Sequence, residues 1–351
     1  MSRNYLFPIN GGVKDLIKSF LTDSNLKDYD NMNIYERMLR NKKTSIILAR
    51  QTLKIYKLFV RCSVFVLPVH YYVPIPNILE MEKNKHEWAR KSELPGIDTD
   101  LDRQINNLKN ICYNYKDEFL NEKIFKKAIS KKLGQGYGMV EGQMLYSFIR
   151  HYKPNKIIEV GSGISTFYML EAIVKNKQEG CISELTCIEP YPFDELKKLD
   201  VKIVVDRVQN VPIEKFTALE PGDFLFIDSS HAVKPGSDVN FLILEILPRL
   251  KTGVYVHFHD IYFPYDYQQN LLQTFFYHYE TSLLRAFLTL NNKSKIIVCM
   301  SQIHYEHKNI LFEIFNGYNP RKDQNGLCDG IYKPFEDLSD KHFPTSIYIQ
   351  V

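Results

Sequence analysis

The sequence lacks several features that define large classes of proteins. Among its 351 residues, no apolar run reaches the roughly 20 residues that a membrane-spanning helix needs. Residues 1–10 lack the basic-then-apolar pattern of a secretion signal. The six cysteines form no C-x-x-C pair and no cluster with histidine, which argues against structural zinc and a disulfide framework. The net charge of +4 is too small to indicate nucleic-acid binding by itself. These absences predict a cytoplasmic protein without a transmembrane segment or a nucleic-acid partner.

The sequence does contain enough apolar residues for a large core, at 44% of the chain. From about residue 155 onwards, apolar strand patterns alternate with helical patterns, which is typical of a parallel sheet. We therefore predict an α/β fold: a Rossmann-like, doubly wound, mostly parallel seven-stranded sheet. The predicted strands are Lys156–Val160, Leu185–Glu189, Lys202–Val205, Asp223–Asp228, Val254–Phe258, Lys295–Met300 and Ser346–Val351. The predicted helices among them are Ile164–Lys177, Phe241–Leu250 and Tyr267–Leu290.

The first 135 residues follow a different pattern. Val13–Leu21 and Thr44–Leu67 are predicted helices, and prolines then favour an extended segment, Tyr71–Pro76. We predict a helical N-terminal extension (residues 1–67), a segment that packs on the main domain (68–135) and the main domain itself (136–351). The second helix carries a basic stripe, which is either a solvated face or a contact for an acidic partner or membrane surface. The stripe consists of Arg50, Lys54, Lys57 and Arg61.

A glycine turn follows the first predicted strand of the main domain. Gly161 and Gly163 would let backbone N–H groups approach a ligand at the positive end of the next helix. The dinucleotide fingerprint requires a third glycine at position 166, which is Thr166 here. Glu159, two residues before the first glycine, suits a cofactor that carries a cation rather than a pyrophosphate. The alternative is a glycine turn that only ends a buried strand.

Polar residues fall at the ends of several predicted strands. Because parallel sheets bind ligands at the carboxyl ends of their strands, this coincidence predicts a binding site. Glu189 could accept hydrogen bonds from two ribose hydroxyls, and Asp206-Arg207-Val208 lies where an adenine ring would lie. The strand-end residues are Glu159, Glu189, Asp206, Asp228 and His259-Asp260.

Asp228 and Asp260 follow adjacent predicted strands and could together hold a divalent cation, which would lower the pKa of a substrate hydroxyl. His231, one helical turn beyond Asp228, would be the general base. The alternative is that both acids cap loops and that His231 makes a structural hydrogen bond. Ser237 or Asp238 is predicted to cap the following helix.

These residues together resemble a known family. Glu159-Val160-Gly161-Ser162-Gly163 looks like motif I of class I S-adenosylmethionine-dependent methyltransferases. From about Tyr71 to the C-terminus the chain resembles methyltransferase family 24. The segments that carry the resemblance are Tyr137–Gly142, Ile157–Thr166, Cys187–Pro190, Asp206–Gln209, Phe226–His231, Gly236–Asn240 and Val256–Pro264.

The resemblance implies S-adenosylmethionine as cofactor and a seventh strand inserted antiparallel. It also gives the set of residues predicted to contact the cofactor. That set is Glu141, Glu159, Gly161, Ser162, Gly163, Ser165, Thr166, Glu189, Asp206, Arg207, Val208 and Asp228.

The chain is also distantly similar to the catechol O-methyltransferase type and to cephalosporin-hydroxylase-like enzymes. This similarity implies a metal site at Asp228, His259 and Asp260, and a catalytic group of His231, Asp228 and His259. Two departures matter: His231 stands where the catechol type has lysine, and His259 is a poor magnesium ligand. Two alternatives to magnesium therefore stay open: no metal at all, or a softer ion that accepts imidazole.

The function predicted from the sequence is methyl transfer from S-adenosylmethionine to an oxygen or nitrogen of a small-molecule acceptor. A nicotinamide-dependent oxidoreductase, a non-catalytic binding module and a macromolecular acceptor remain open at this point. The sequence also leaves open whether the protein is a homo-oligomer.

Overall fold

The computed structural model of this protein describes residues 42–67, 69, 72–119, 122–134, 136–328 and 341–351, with side chains from residue 51 onwards. The chain divides into two compact units, Met1–Lys83 and Asn84–Val351. The predicted boundaries after residues 67 and 135 stay a prediction.

In the first unit, helix α1 spans Lys42–Arg61 and helix α2 spans Ile78–Lys83. The predicted helix ended at Leu67, whereas α1 ends in a turn at Cys62-Ser63, before a β-branched and aromatic stretch that disfavours helix. Lys54, Lys57 and Arg61 of the basic stripe are exposed. The side chain of Arg50, the predicted helix 13–21 and Tyr71 lie outside the described residues. Among the described residues, we find no helix that combines the length and apolarity needed to cross a bilayer.

The second unit is built on a seven-stranded sheet with the strand order β3-β2-β1-β4-β5-β9-β6. Strands β1 to β5 pair in parallel, and β9 runs antiparallel between β5 and β6. The prediction of a mostly parallel, doubly wound sheet with one antiparallel strand is confirmed. The strands are β1 Lys156–Val160, β2 Glu184–Ile188, β3 Lys202–Val204, β4 Phe224–Ile227, β5 Tyr255–Phe258, β6 Lys295–Cys299 and β9 Ile347–Gln350, with a separate hairpin of β7 Asp323–Gln324 and β8 Leu327–Cys328.

Both faces of the sheet are buried, because each strand sends alternate side chains into two different apolar clusters. In β4, Phe224 and Phe226 enter one cluster, and Leu225 and Ile227 enter the other. Helices therefore cover both faces. In this unit the helices are α3 Lys85–Trp88, α4 Leu101–Cys112, α5 Lys123–Ser130, α6 Met139–Tyr152, α7 Ile164–Gln178, α8 Ile213–Thr217, α9 Asp238–Asn240, α10 Glu280–Leu288, α11 Met300–Glu306 and α12 Lys308–Ile314.

Two predicted helices differ in the structure. The predicted helix over 241–250 forms a π-helical segment, Phe241–Ile246, that continues α9, and Ser237 caps α9 by accepting a hydrogen bond from Asn240 N. The prediction of one long helix over 267–290 is wrong, since only α10 is regular there. The aromatic, polar stretch before α10 has low helix propensity. Its backbone bonds to the side chain of Gln268 instead, at Phe276 O and His278 N.

A buried arginine joins α6 to its neighbours. Arg150 is 4% exposed and donates two hydrogen bonds of 2.9 Å to the two carboxylate oxygens of Glu118. It also donates to Asn176 and Glu179 at the end of α7. The guanidinium thus holds α6, α7 and the turn at Glu118 in one arrangement.

We expect Arg150→Ala to lower the free energy of unfolding by about 3 kcal/mol, because it leaves buried polar groups without their partner. Chemical denaturation followed by circular dichroism measures this change. The control is Arg249→Ala, which removes an exposed pair with Glu245 one helical turn away and should cost less than about 0.5 kcal/mol. Equal effects of the two substitutions would contradict the structural role of Arg150.

Candidate active site

The glycine turn after β1 is packed against the ends of the neighbouring strands. Gly161 has φ +90° and donates a hydrogen bond of 3.1 Å to Ile188 O at the end of β2. A Cβ atom on Gly161 would lie 2.2 Å from the backbone oxygen of Asp228, just after β4. Only glycine both adopts a φ of +90° without strain and has no Cβ atom to clash with Asp228. The turn can therefore bring the ends of β1, β2 and β4 together.

Glu159 lies beneath this turn and is fully buried. Its carboxylate accepts hydrogen bonds of 2.7 Å from Ser165 Oγ and Thr166 Oγ1, and Thr166 Oγ1 also accepts from Gly163 N at 3.0 Å. Four residues predicted to contact the cofactor thus bond to one another at the start of α7. Burial raises the pKa of Glu159 to about 7, against an ordinary value of 4.5, although the hydroxyl and Cys187 thiol donors oppose this rise.

This raised pKa gives a pH-dependent stability. Between pH 4.5 and 7 the carboxyl group loses its proton in the unfolded chain but keeps it in the folded protein, so stability falls as the pH rises. We expect the free energy of unfolding of the wild type to fall by on the order of 3 kcal/mol between pH 4.5 and 7, relative to that of Glu159→Gln. The glutamine of the variant cannot ionise. Parallel denaturation curves at pH 4.5 and 7 measure the difference. Identical pH dependence of both proteins would contradict the burial of an ionisable group here.

The ends of β2 and β3 carry the residues predicted to contact ribose and adenine. Glu189 lies beside the glycine turn, with its Oε2 3.4 Å from Ser162 Oγ and its Oε1 accepting from Tyr191 N at 2.8 Å. Asp206 and Arg207 are exposed, whereas Val208 is buried. The structure therefore brings Glu189 to the turn and leaves Asp206 and Arg207 on the rim.

Four polar side chains meet at the carboxyl ends of β4 and β5. Oδ1 of Asp228 lies 3.3 Å from Nε2 of His231 and 3.4 Å from Nδ1 of His259. Oδ2 of Asp260 lies 3.5 Å from Nε2 of His231, and Oδ1 of Asp260 lies 3.8 Å from Nδ1 of His259. We call this group the strand-end cluster. It unites all the residues that the sequence analysis assigned to catalysis or to a metal.

Two members of the strand-end cluster have a strained backbone. His231 and Asp260 both have φ 56°, in the left-handed region that side chains other than glycine's rarely adopt. His231 is therefore not one helical turn beyond Asp228 but in a loop, which is held by Asp238 through hydrogen bonds from Ser230 N and Oγ of 2.9 and 2.5 Å. Strained conformations of this kind concentrate at functional sites.

The outward nitrogen of each cluster histidine faces a buried carboxylate. Nδ1 of His231 lies 2.7 Å from Oε2 of Glu280, at the start of α10. Nε2 of His259 lies 3.3 Å from Oε2 of Glu141, in the first turn of α6. Glu141, which we predicted to contact the cofactor, also accepts hydrogen bonds from Thr345 N and Ser346 Oγ of 2.9 and 2.6 Å.

These contacts raise the pKa values of the two histidines of the strand-end cluster and lower that of Asp228. Burial would lower the pKa of both histidines, but the surrounding carboxylates raise it well above its ordinary value. Burial would likewise raise the pKa of Asp228, but the imidazoles of His259 and His231 hold it below its usual range. The cluster is therefore a set of charged, mutually paired groups.

A narrow cavity of about 90 Å³ opens beside the strand-end cluster. His259, Asp260 and Glu141 line it on one side, and Tyr137 and Ile164 line it next to the glycine turn. Tyr262 and Phe343 form an aromatic wall, with their ring centroids 6.4 Å apart. The cavity thus combines carboxylate, imidazole and aromatic side chains.

The sequence analysis missed some residues of the site. Glu280 and His278 fell inside the wrongly predicted long helix, yet the His278 ring lies 4.7 Å from that of His231. Thr345, before β9, donates a hydrogen bond of 3.0 Å to Oδ1 of Asp260. No local pattern marks these positions, because each joins the site through long-range packing.

Part of this chain is similar to known proteins. Residues 158–261 match the model of methyltransferase family 24, which is described as a methyltransferase domain. The matched part runs from β1 to the residue after Asp260 and so contains the glycine turn and the strand-end cluster. An uncharacterized protein from Archaeoglobus fulgidus is 29% identical over 200 residues, covering 53% of this chain and 86% of its own length.

Two solved structures show weaker likeness. One is a S-adenosylmethionine-dependent methyltransferase from Archaeoglobus fulgidus, with 13% identity, a TM-score of 0.33 and coverage of 64% of this chain and 99% of its own. The other is a putative protein-L-isoaspartate O-methyltransferase from Plasmodium falciparum, in complex with S-adenosyl-L-homocysteine. Its identity is 14% and its TM-score 0.25, with coverage of 44% of this chain and 84% of its own.

Proposed function

Since the chain is a class I S-adenosylmethionine-dependent methyltransferase that resembles methyltransferase family 24, we propose that it methylates an oxygen or nitrogen of a small-molecule acceptor. The proposed acceptor site is the narrow cavity beside the strand-end cluster. The observation that carries this proposal is the position of the strand-end cluster, next to the glycine turn. A cofactor bound at the turn would there lie close to an acceptor in the cavity.

The proposed cofactor contacts follow from the same placement. The ribose hydroxyls would bond to Glu189, and the N–H groups of the glycine turn would face the cofactor beside β1. Glu159 would act indirectly, since its oxygens are taken up by Ser165 and Thr166 and fix the start of α7.

We assign the proton transfer to His231. Its Nδ1 faces Glu280 at 2.7 Å, so the ring is oriented with Nε2 towards Asp228 and Asp260. A neutral Nε2 can take the proton of an acceptor hydroxyl or amine as the methyl group is transferred. Because the surrounding carboxylates raise the pKa of His231, the base form becomes populated as the pH rises, and turnover should rise with it.

Magnesium, which the similarity to the catechol O-methyltransferase type implies, does not fit this donor set. Magnesium binds oxygen ligands and retained waters in octahedral geometry. Here the donors nearest to Asp228 are imidazole nitrogens of His231 and His259. Asp228 and Asp260 therefore serve, in this proposal, to position His231 and the acceptor.

The proposal is tested with S-adenosylmethionine that carries an isotopically labelled methyl group. The purified protein is incubated with pools of small hydroxylated and aminated compounds, and label is sought in each product. We expect transfer to at least one class of small molecule and none with the Asp228→Asn variant. Label that appears only in added protein or nucleic acid would contradict a small acceptor.

A further inference from the structure

We infer that Asp228, His231 and His259 form a binding site for a divalent transition-metal ion such as Zn²⁺, Co²⁺, Mn²⁺ or Fe²⁺. One ligand atom from each of these residues lies within 4.8 Å of the other two. The donor atoms in closest contact are Oδ1 of Asp228 with Nε2 of His231 and with Nδ1 of His259. The inference does not depend on methyl transfer, because it follows from the donor atoms alone.

Two of the three donor separations have the size that one shared ion would impose. Ligands held at roughly 2.0–2.2 Å from an ion are about 3.0–3.6 Å apart in tetrahedral or octahedral arrangements. The two separations from Oδ1 of Asp228 are 3.3 and 3.4 Å. Oδ2 of Asp260 is 3.5 Å from Nε2 of His231, so a second carboxylate borders the same point.

The two outer carboxylates supply an independent argument. Histidines that bind metals almost always donate their other N–H to a carboxylate, a carbonyl or water, which fixes the tautomer. Here Nδ1 of His231 faces Glu280 at 2.7 Å, and Nε2 of His259 faces Glu141 at 3.3 Å. With those N–H groups directed outwards, the lone pairs of Nε2 and Nδ1 both point towards Asp228.

Charge gives a third argument. Four carboxylates surround two imidazoles in a largely buried region, and Glu141 and Glu280 are 5% and 0% exposed. Burying a carboxylate is unfavourable unless a cation or donors compensate it. A divalent ion among Asp228, His231 and His259 would balance the charge that the histidines otherwise balance by protonation.

The donor set selects the kind of ion. Two imidazoles and one carboxylate, with a further carboxylate close by, suit zinc, iron, cobalt or manganese. The ion and the proton compete for the lone pair of Nε2 of His231. In the ion-loaded protein His231 is therefore a ligand, and its proposed role as base applies to the protein without the ion.

The test is a titration of tag-free, chelator-stripped protein with Co²⁺, followed by its visible absorption spectrum, and with Zn²⁺ and Mg²⁺ by calorimetry. We expect one Co²⁺ or Zn²⁺ per chain and at least about 100-fold weaker binding of Mg²⁺. His231→Gln and His259→Gln should each weaken Co²⁺ binding more than about 10-fold. Glu280→Gln should weaken it about 10- to 100-fold without removing a ligand.

His86→Gln is the matched control, since the His86 side chain is 78% exposed and distant in sequence from the cluster. The inference is overturned if the wild type binds no Co²⁺, or if His231→Gln and Glu280→Gln bind it as tightly as His86→Gln does. Should His231→Gln fail to fold, Glu280→Gln decides alone. Binding of S-adenosylmethionine by the stripped protein is measured separately, so a failed metal site and a failed methyltransferase assignment give different results.

Discussion

Gly161→Ala is expected to abolish measurable binding of S-adenosylmethionine, with an affinity loss of at least about 100-fold, or about 3 kcal/mol. A methyl group at this position would lie 2.2 Å from the Asp228 backbone oxygen, and the residue would keep φ +90°. The end of β4 must then shift away from the glycine turn, which moves Asp228 and the strand-end cluster together. Calorimetry with S-adenosylmethionine measures the loss, and chemical denaturation measures the accompanying destabilisation.

Gly180→Ala is the matched control for this substitution. Gly180 also has a left-handed backbone, with φ +85°, but a Cβ there would meet no atom within 4 Å. Gly180→Ala should therefore lower the free energy of unfolding by only about 1–2 kcal/mol, from backbone strain, and leave the affinity for S-adenosylmethionine unchanged. If Gly161→Ala binds the cofactor as well as Gly180→Ala does, the glycine turn is not the cofactor site.

His231→Ala is expected to lower the rate of methyl transfer by about 10²- to 10⁴-fold while leaving S-adenosylmethionine binding nearly intact. Both roles that we propose for this residue use Nε2, so its removal eliminates either one. Single-turnover assays with the labelled cofactor and the acceptor found by screening measure the change. His86→Ala, at an exposed site, should retain full activity.

Added imidazole separates a chemical role from a structural one. If His231 supplies an imidazole to the reaction, free imidazole should restore part of the activity of His231→Ala, because the substitution leaves a space of matching size between Asp228, Asp260 and Glu280. A folded variant that keeps full turnover would show that His231 takes no part in catalysis. A variant that loses cofactor binding as well would indicate a purely structural role.

The parts of the fold that the sequence predicts well are those with local signals. The apolar run of β4 and the two glycines after β1 define their elements without help from distant residues. The strand-end positions of Asp228, His259 and Asp260 follow from the same pattern, because the edge of a parallel sheet collects the residues that end its strands.

The parts that the sequence does not predict depend on contacts between distant residues. The aromatic, polar residues before α10 disfavour a helix only weakly, and the side chain of Gln268 bonds to their backbone and keeps the segment irregular. The position of Glu280 against His231 follows from that loop. The left-handed backbone of His231 likewise reflects tertiary packing that overrides local preference.

The most direct test of the methyltransferase site is a crystal structure of the protein with S-adenosylhomocysteine. We predict that its ribose hydroxyls contact Glu189 and that its sulfur lies beside the strand-end cluster, facing the cavity lined by Tyr137 and His259. A cofactor bound elsewhere, or a sulfur turned away from Asp228 and His231, would contradict the account.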